Sequence, residues 1–126
     1  MFVNLDVDDL EKAVRFYTTA FGLHVARRFG TSAVEMLGSS VPIYLLAEEA
    51  GTPASSATSQ VRSYERHWTP IHLDFVVEEI DAAVQRVVQA GARLEKPTAT
   101  HEWGRLAHGR SVWSRVLFRA VSRSWL

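Results

Sequence analysis

The sequence predicts an α+β fold: two similar βαβββ modules forming a cup-shaped mixed sheet around a central cleft. An internal repeat carries most of that expectation. Ile71–Gly91, IHLDFVVEEIDAAVQRVVQAG, matches Phe2–Gly22, FVNLDVDDLEKAVRFYTTAFG, by residue type at an offset of 70. Val7 falls on Val77, Asp8 and Asp9 on Glu78 and Glu79, Leu10 on Ile80, Ala13 on Ala83 and Val14 on Val84. Each copy is a short alternating strand, an acidic pair, and a helix whose apolar residues recur at helical spacing. Strand-like runs follow each helix, so the order β-α-β-β-β occurs twice. Two copies are too few for a solenoid and imply two similar halves that face each other across a cavity.

In chain order, Phe2–Val7 alternates Val3, Leu5 and Val7 against Asn4 and Asp6, as a half-buried strand does. Asp8 or Asp9 can cap the next helix by accepting from its free N–H groups and placing negative charge at its positive end. Leu10, Ala13, Val14, Tyr17 and Phe21 share one face of that helix, and Gly22 suits its C-cap. His24–Gly30, Ser32–Leu37 and Pro42–Ala47 read as strands with tight connections at Gly30-Thr31 and Gly38–Ser40. Residues 48–70 read as a linker, small and polar at Glu48–Gln60. The second half repeats the order: strand Ile71–Val77, helix Glu78–Ala90, a strand Arg93–Thr98 broken by Pro97, a turn around Trp103-Gly104, and two short strands within Arg105–Phe118. The chain thus reads as one domain over 1–126, with modules at 1–47 and 71–126 and an atypical C-terminal tail.

Composition excludes several function classes. The 14 basic and 14 acidic residues cancel, so no whole-chain field draws nucleic acid or acidic lipid. Arg27-Arg28 and Arg62–Arg66 are too short and dispersed for a nucleic-acid footprint. The absence of cysteine removes disulfides, thiolate nucleophiles and zinc-knuckle patterns. No signal-peptide pattern opens the chain and no apolar run reaches membrane-spanning length, so a cytoplasmic protein without a membrane partner is expected. There is no glycine-rich phosphate loop, no G-x-S-x-G elbow and no zincin pattern. The acidic pairs Asp8-Asp9 and Glu78-Glu79 resemble catalytic dyads in isolation, but both open helices, and capping explains them better.

VNLDVDDLEKAVRFYTTAFGL, then HLDFVVEEIDAAVQRVVQAGARL, then HEWGRLAH resembles the glyoxalase / bleomycin-resistance / extradiol-dioxygenase group, the vicinal oxygen chelate superfamily. The resemblance covers roughly the first 108 residues. It implies paired βαβββ modules, a cup-shaped cavity and a homodimer. In metal-dependent members it also implies a divalent ion, held by a His on the first strand and a carboxylate on the last strand of each module. Here the second-module His position matches His72, but its repeat mate is Phe2, which has no lone pair to donate. The last strand of the first module, Pro42–Leu46, has no carboxylate, and neither does Val116-Leu117-Phe118. A catalytic divalent site needs about three protein ligands, and His72 alone matches. The sequence therefore predicts no usual metal site, with a rearranged divalent site including His72, and drawing on His67, His101 or His108, as the alternative.

The tail GRSVWSRVLFRAVSRSWL carries four arginines, two tryptophans and no acid. Family members commonly show D-P-F-G-like residues there. Reading the same codons one base later permits ADPFGHGFCFEQFLGRGY, which suggests a one-base frameshift after His108 that would leave the last strand imperfectly completed and lower stability. The alternative is an ordinary basic strand, since Val112, Ser114, Val116 and Phe118 still alternate. Tyr44, Trp68 and Trp103 are candidate walls for a flat or apolar ligand, together with His72 and Phe2, and Arg105 is a candidate anchor in the Trp103-Gly104-Arg105 turn. Phe75 reads as core. The expected function is binding of a small apolar or aromatic molecule in the cleft without metal. The alternative is a metal-dependent lyase or dioxygenase of the same superfamily.

Overall fold

The computed structural model describes residues 1–110 and 117–123. The element order is β1 (Val3–Val7), α1 (Leu10–Phe21), β2 (His24–Phe29), β3 (Ala33–Leu37), β4 (Ile43–Ala47), β5 (Leu73–Val77), α2 (Ile80–Gln89), β6 (Arg93–His101), β7 (Gly104–Arg110) and β8 (Leu117–Arg123). The strands form two four-stranded mixed sheets, β1-β4-β3-β2 and β5-β8-β7-β6. In each, the first strand runs parallel to the last, as Val3 opposite Ile43 and Leu73 opposite Phe118, and the other pairings are antiparallel. The repeat in sequence is therefore a repeat in topology.

α1 is set by the residues that bound it. The Asp9 carboxylate accepts from the Lys12 N–H at 3.0 Å, and that bond holds its pKa below the usual carboxylate range. Gly22 ends the helix with φ 67°, a left-handed conformation that costs glycine little, and its N–H reaches the Thr18 carbonyl. α2 is capped less well. Glu79 occupies the N-cap but its side chain makes no capping bond, because the extra methylene carries the carboxylate past the free N–H groups. The capping expected of the acidic pairs thus holds in the first copy and not in the second. The closing glycine of the second copy falls one residue short of the 70-residue offset, because Ala90 is the C-cap of α2 and Gly91, at φ 95°, takes the next position.

One face of the first sheet packs on α1. Val7, Val34, Met36, Ile43 and Leu45 join Leu10, Ala13, Val14, Phe16, Tyr17 and Ala20 in one core, which also takes in Val87 and Ala92 from the second half. Among the described residues, a second cluster holds Ile80, Ala107 and Ala120, with Val77 and Val84 against it. The helices pack on each other. Phe21 stacks on Phe75 at 3.8 Å between centroids, and the Arg86 Nε donates to the Ala20 carbonyl at 3.4 Å, so the two halves are joined through their helix side.

Two expectations need correction. β6 is continuous through Pro97, because it is an edge strand whose register shifts between Leu94 and Lys96 and between Lys96 and Ala99, where a missing N–H is tolerated. The last strand lies later than expected, at Leu117–Arg123, inserted between β5 and β7. It supplies the fourth strand of the second sheet, where Ala120 is buried. The tail positions 111–116 and 124–126, including Val112, Trp113, Ser114, Val116 and Trp125, lie outside the described residues. Among those described, no helix is long and apolar enough to cross a membrane.

Candidate functional site

A cavity of about 750 Å³ opens between β1 and β5, each an edge strand of its sheet, with the segment before β5 along its side. Val3, Leu5, Val61, Ile71 and Leu73 give it apolar walls, and Asn4, Asp6, Arg62, Tyr64 and His67 its polar groups. Successive residues of β1 reach it because that edge of the strand carries no partner strand. The volume falls within the range of small-molecule sites, roughly 300–1,000 Å³.

The cavity's side is held in place by Arg62. Its Nε donates to Asp6 Oδ2 at 2.8 Å, its Nη1 donates to the Pro53 carbonyl and to Thr52 Oγ1, and Glu48 lies 3.7 Å away. The Tyr64 hydroxyl donates to the Glu48 carbonyl at 2.7 Å. Burial, reinforced by Asp6 and Asp8, pushes its pKa up to about 12, so it stays a donor at neutral pH. The backbone of this segment is also paired, Gly51 N–H to the Arg62 carbonyl and Arg62 N–H to the Thr52 carbonyl. The residues read as a plain polar linker thus form a bonded loop. The Arg62 charge is met by Asp6 and Glu48, so this part of the wall carries no uncompensated cation.

A second constellation occupies the face of the first sheet opposite α1. Glu35, 8% exposed, accepts from Arg27 Nε at 2.6 Å and from the Tyr44 hydroxyl at 2.7 Å, while Arg27 Nη2 also donates to that hydroxyl. Arg27 and then Tyr44 hold the Glu35 carboxyl below its usual range. The Tyr44 ring meets Phe2 at 5.1 Å and Phe29 at 6.1 Å. Of the residues expected at the site, Phe2 and Tyr44 are therefore brought together. His72 is exposed immediately before β5, between two residues that line the cavity. Trp68 is 80% exposed, and its neighbours His67 and Thr69 line the cavity. Trp103 stacks on His101 at 4.7 Å. Arg105 grips Asp81 in the first turn of α2 with two 3.0 Å bonds. These last two pairs form a group separate from the cavity lining.

Asp6, Tyr64 and Glu35 were not singled out from the sequence, and Arg27 and Arg62 were weighed there only as parts of short basic runs, not as site residues. Glu35 left a trace there, as an acid in the middle of the apolar run Ala33–Leu37. Arg62 left none.

The fold and cavity define a paired-module α+β protein with a cleft between its halves. A model of the Glyoxalase/Bleomycin resistance protein/Dioxygenase superfamily matches residues 2–110, and the chain belongs to that superfamily. Comparison with curated proteins finds no match. Among solved structures, a hypothetical protein, SA1046, from S. aureus is similar with a TM-score of 0.74 at 19% identity, covering 97% of this chain and 91% of that one. A glyoxalase-related enzyme from Fulvimarina pelagi is similar with a TM-score of 0.73 at 16% identity, covering 98% and 87%. A fosfomycin resistance protein from Listeria monocytogenes, complexed with Mn(II) and 1S,2S-dihydroxypropylphosphonic acid, gives 0.74 at 18% identity, covering 98% and 89%.

The side chains among the described residues do not fit a divalent metal of the kind the Listeria protein is complexed with. Phe2 stands where the first-module histidine would, Glu35 spends its carboxylate oxygens on Arg27 and Tyr44, and no group of three or more His, Asp or Glu suited to a metal occurs among the described residues.

Proposed function

We propose that this protein is a small-molecule-binding member of its superfamily that encloses an apolar or aromatic ligand in the cavity between β1 and β5, without the usual divalent metal. One observation carries the reading: an apolar-walled cavity of about 750 Å³ lies at the junction of the two modules. The Phe2–Tyr44 pair offers aromatic surface on the adjoining sheet. The same reading has the protein acting as a cytoplasmic homodimer, without nucleic-acid or membrane partners.

N-phenyl-1-naphthylamine, a neutral fluorescent aromatic, tests it. The native protein is expected to bind it saturably with one site per chain. Ile71→Glu places a charge on the apolar wall at a position 73% exposed, where the fold tolerates it, and is expected to weaken binding severely. No saturable signal, or unchanged affinity in the variant, overturns the proposal. A metal-dependent lyase or dioxygenase is the second reading, favoured by the Mn(II) in the Listeria protein. Elemental analysis of protein purified without chelators separates the two: stoichiometric metal lost on His72→Ala establishes the second.

A further inference from the structure

On the outer border of the second sheet, a smaller cleft of about 270 Å³ opens between Arg66 of the connecting segment, Arg93–Glu95 at the start of β6, and Arg110 at the end of β7. Its charges do not balance. Three guanidinium groups surround one carboxylate, leaving a net charge of +2 by count (three cations less one anion). Arg66 takes most of that carboxylate, with Nε at 2.8 Å from Glu95 Oε1 and Nη2 at 3.4 Å from Oε2. Arg110 stands off at 4.0 Å. Arg93 makes no ion pair among the described residues.

Strand register sharpens the imbalance. Arg93 and Arg110 are direct cross-strand partners, a juxtaposition of like charges that destabilises a sheet unless a counter-charge lies between them. Lys96 lies opposite His108 further along the same ladder, so no acid is supplied from that side. Glu95 falls within the register shift between Leu94 and Lys96. With its side chain 19% exposed, it forms the inner wall of the cleft, with the arginines around it. Planar guanidinium forks converging from a loop and two strands suit an oxyanion, which can accept from more than one at once.

We propose that this cleft binds the phosphate or phosphonate group of a small molecule, with Arg93 and Arg110 as its principal donors and Glu95 as a competing anion taken up chiefly by Arg66. The two uncompensated cations favour a dianion over a single carboxylate. The site is separate from the β1–β5 cavity and does not depend on what that cavity holds.

Inorganic phosphate is the probe, titrated calorimetrically at fixed ionic strength with chloride as the control. The native protein is expected to bind one phosphate saturably. Arg93→Gln, at an exposed position, is expected to weaken binding about tenfold, by loss of charge-assisted hydrogen bonds. Arg93→Lys is expected to recover part of that loss. Glu95→Gln is expected to tighten binding, because it removes the competing anion, whereas a merely structural Glu95 would weaken it. Phosphate heats no larger than those of chloride, an unchanged affinity in Arg93→Gln, or weaker binding in Glu95→Gln would each overturn the assignment. A thermal unfolding midpoint of Arg93→Gln no lower than the parent's distinguishes loss of this cleft from loss of the fold.

Discussion

Tyr17 is fully buried, and its hydroxyl has no hydrogen-bond partner among the described residues. Burial alone pushes its pKa up, so the group stays a neutral phenol facing apolar neighbours. The ring itself is well placed, edge-on to Phe16 at 5.3 Å and 6.3 Å from both Phe21 and Phe75. Tyr17→Phe keeps those contacts and removes the desolvated hydroxyl, which by itself costs about 1–3 kcal/mol. The lost oxygen leaves a void of ~10 Å³, and at ~24 cal/mol per Å³ that returns only ~0.2 kcal/mol. A net stabilisation of about 1–3 kcal/mol is expected, raising Tm by roughly 3–9 °C in a chain of this size. Urea unfolding followed by tryptophan fluorescence reads it as a higher midpoint at unchanged slope. A midpoint equal to or below that of the parent refutes the reasoning, because the hydroxyl would then be bonded in the folded protein.

Two further predictions follow from charge and from the tail. Glu35 has a depressed folded pKa, so its contribution to stability is present above its unfolded pKa and lost as pH falls through the folded one. Arg27→Met removes the main cause, and the acid-unfolding midpoint should move to higher pH, with a smaller shift for Tyr44→Phe; coincident acid transitions for variant and parent would show that the pair is inert. Read one base later, the codons after His108 permit Asp at position 110, opposite Arg93, in place of a like-charged pair, and the family match stops at residue 110. The coding DNA should contain that D-P-F-G run, and protein made in the shifted frame should melt higher; a nucleotide sequence without the run ends the frameshift idea.

Most of the fold was legible because the signals are local. The alternation Val3-Leu5-Val7, the cap at Asp9 and the glycine at 22 each act within a few residues of the element they define. The doubled pattern then implied the doubled sheet. The candidate site was less legible because it depends on which face a residue presents and on what meets it from far along the chain. Arg105 looked like a cleft anchor beside Trp103, yet the strand aims it at Asp81 on α2. Arg62 sits in a polar stretch without periodicity, and only folding brings it to Asp6, 56 positions earlier. Phe2 and Tyr44 were named separately, as the repeat mate of His72 and as an aromatic wall, and the parallel pairing that sets Asn4 beside Tyr44 brings their rings together.

The uneven cores have a consequence for how the molecule opens. Among the described residues, the larger cluster is drawn mainly from the first module and claims Val87 and Ala92, whereas the cluster under the second sheet holds Ile80, Ala107 and Ala120. Resistance of a segment to local opening follows its buried apolar contacts. Amide protons of β3 and β4 should therefore exchange slowest, and those of β6 and β7 much sooner. The cavity lies against the slow half and the arginine cleft within the fast one. An anion held by Arg93 and Arg110 would draw β6 and β7 together, slowing exchange where the apolar core contributes least.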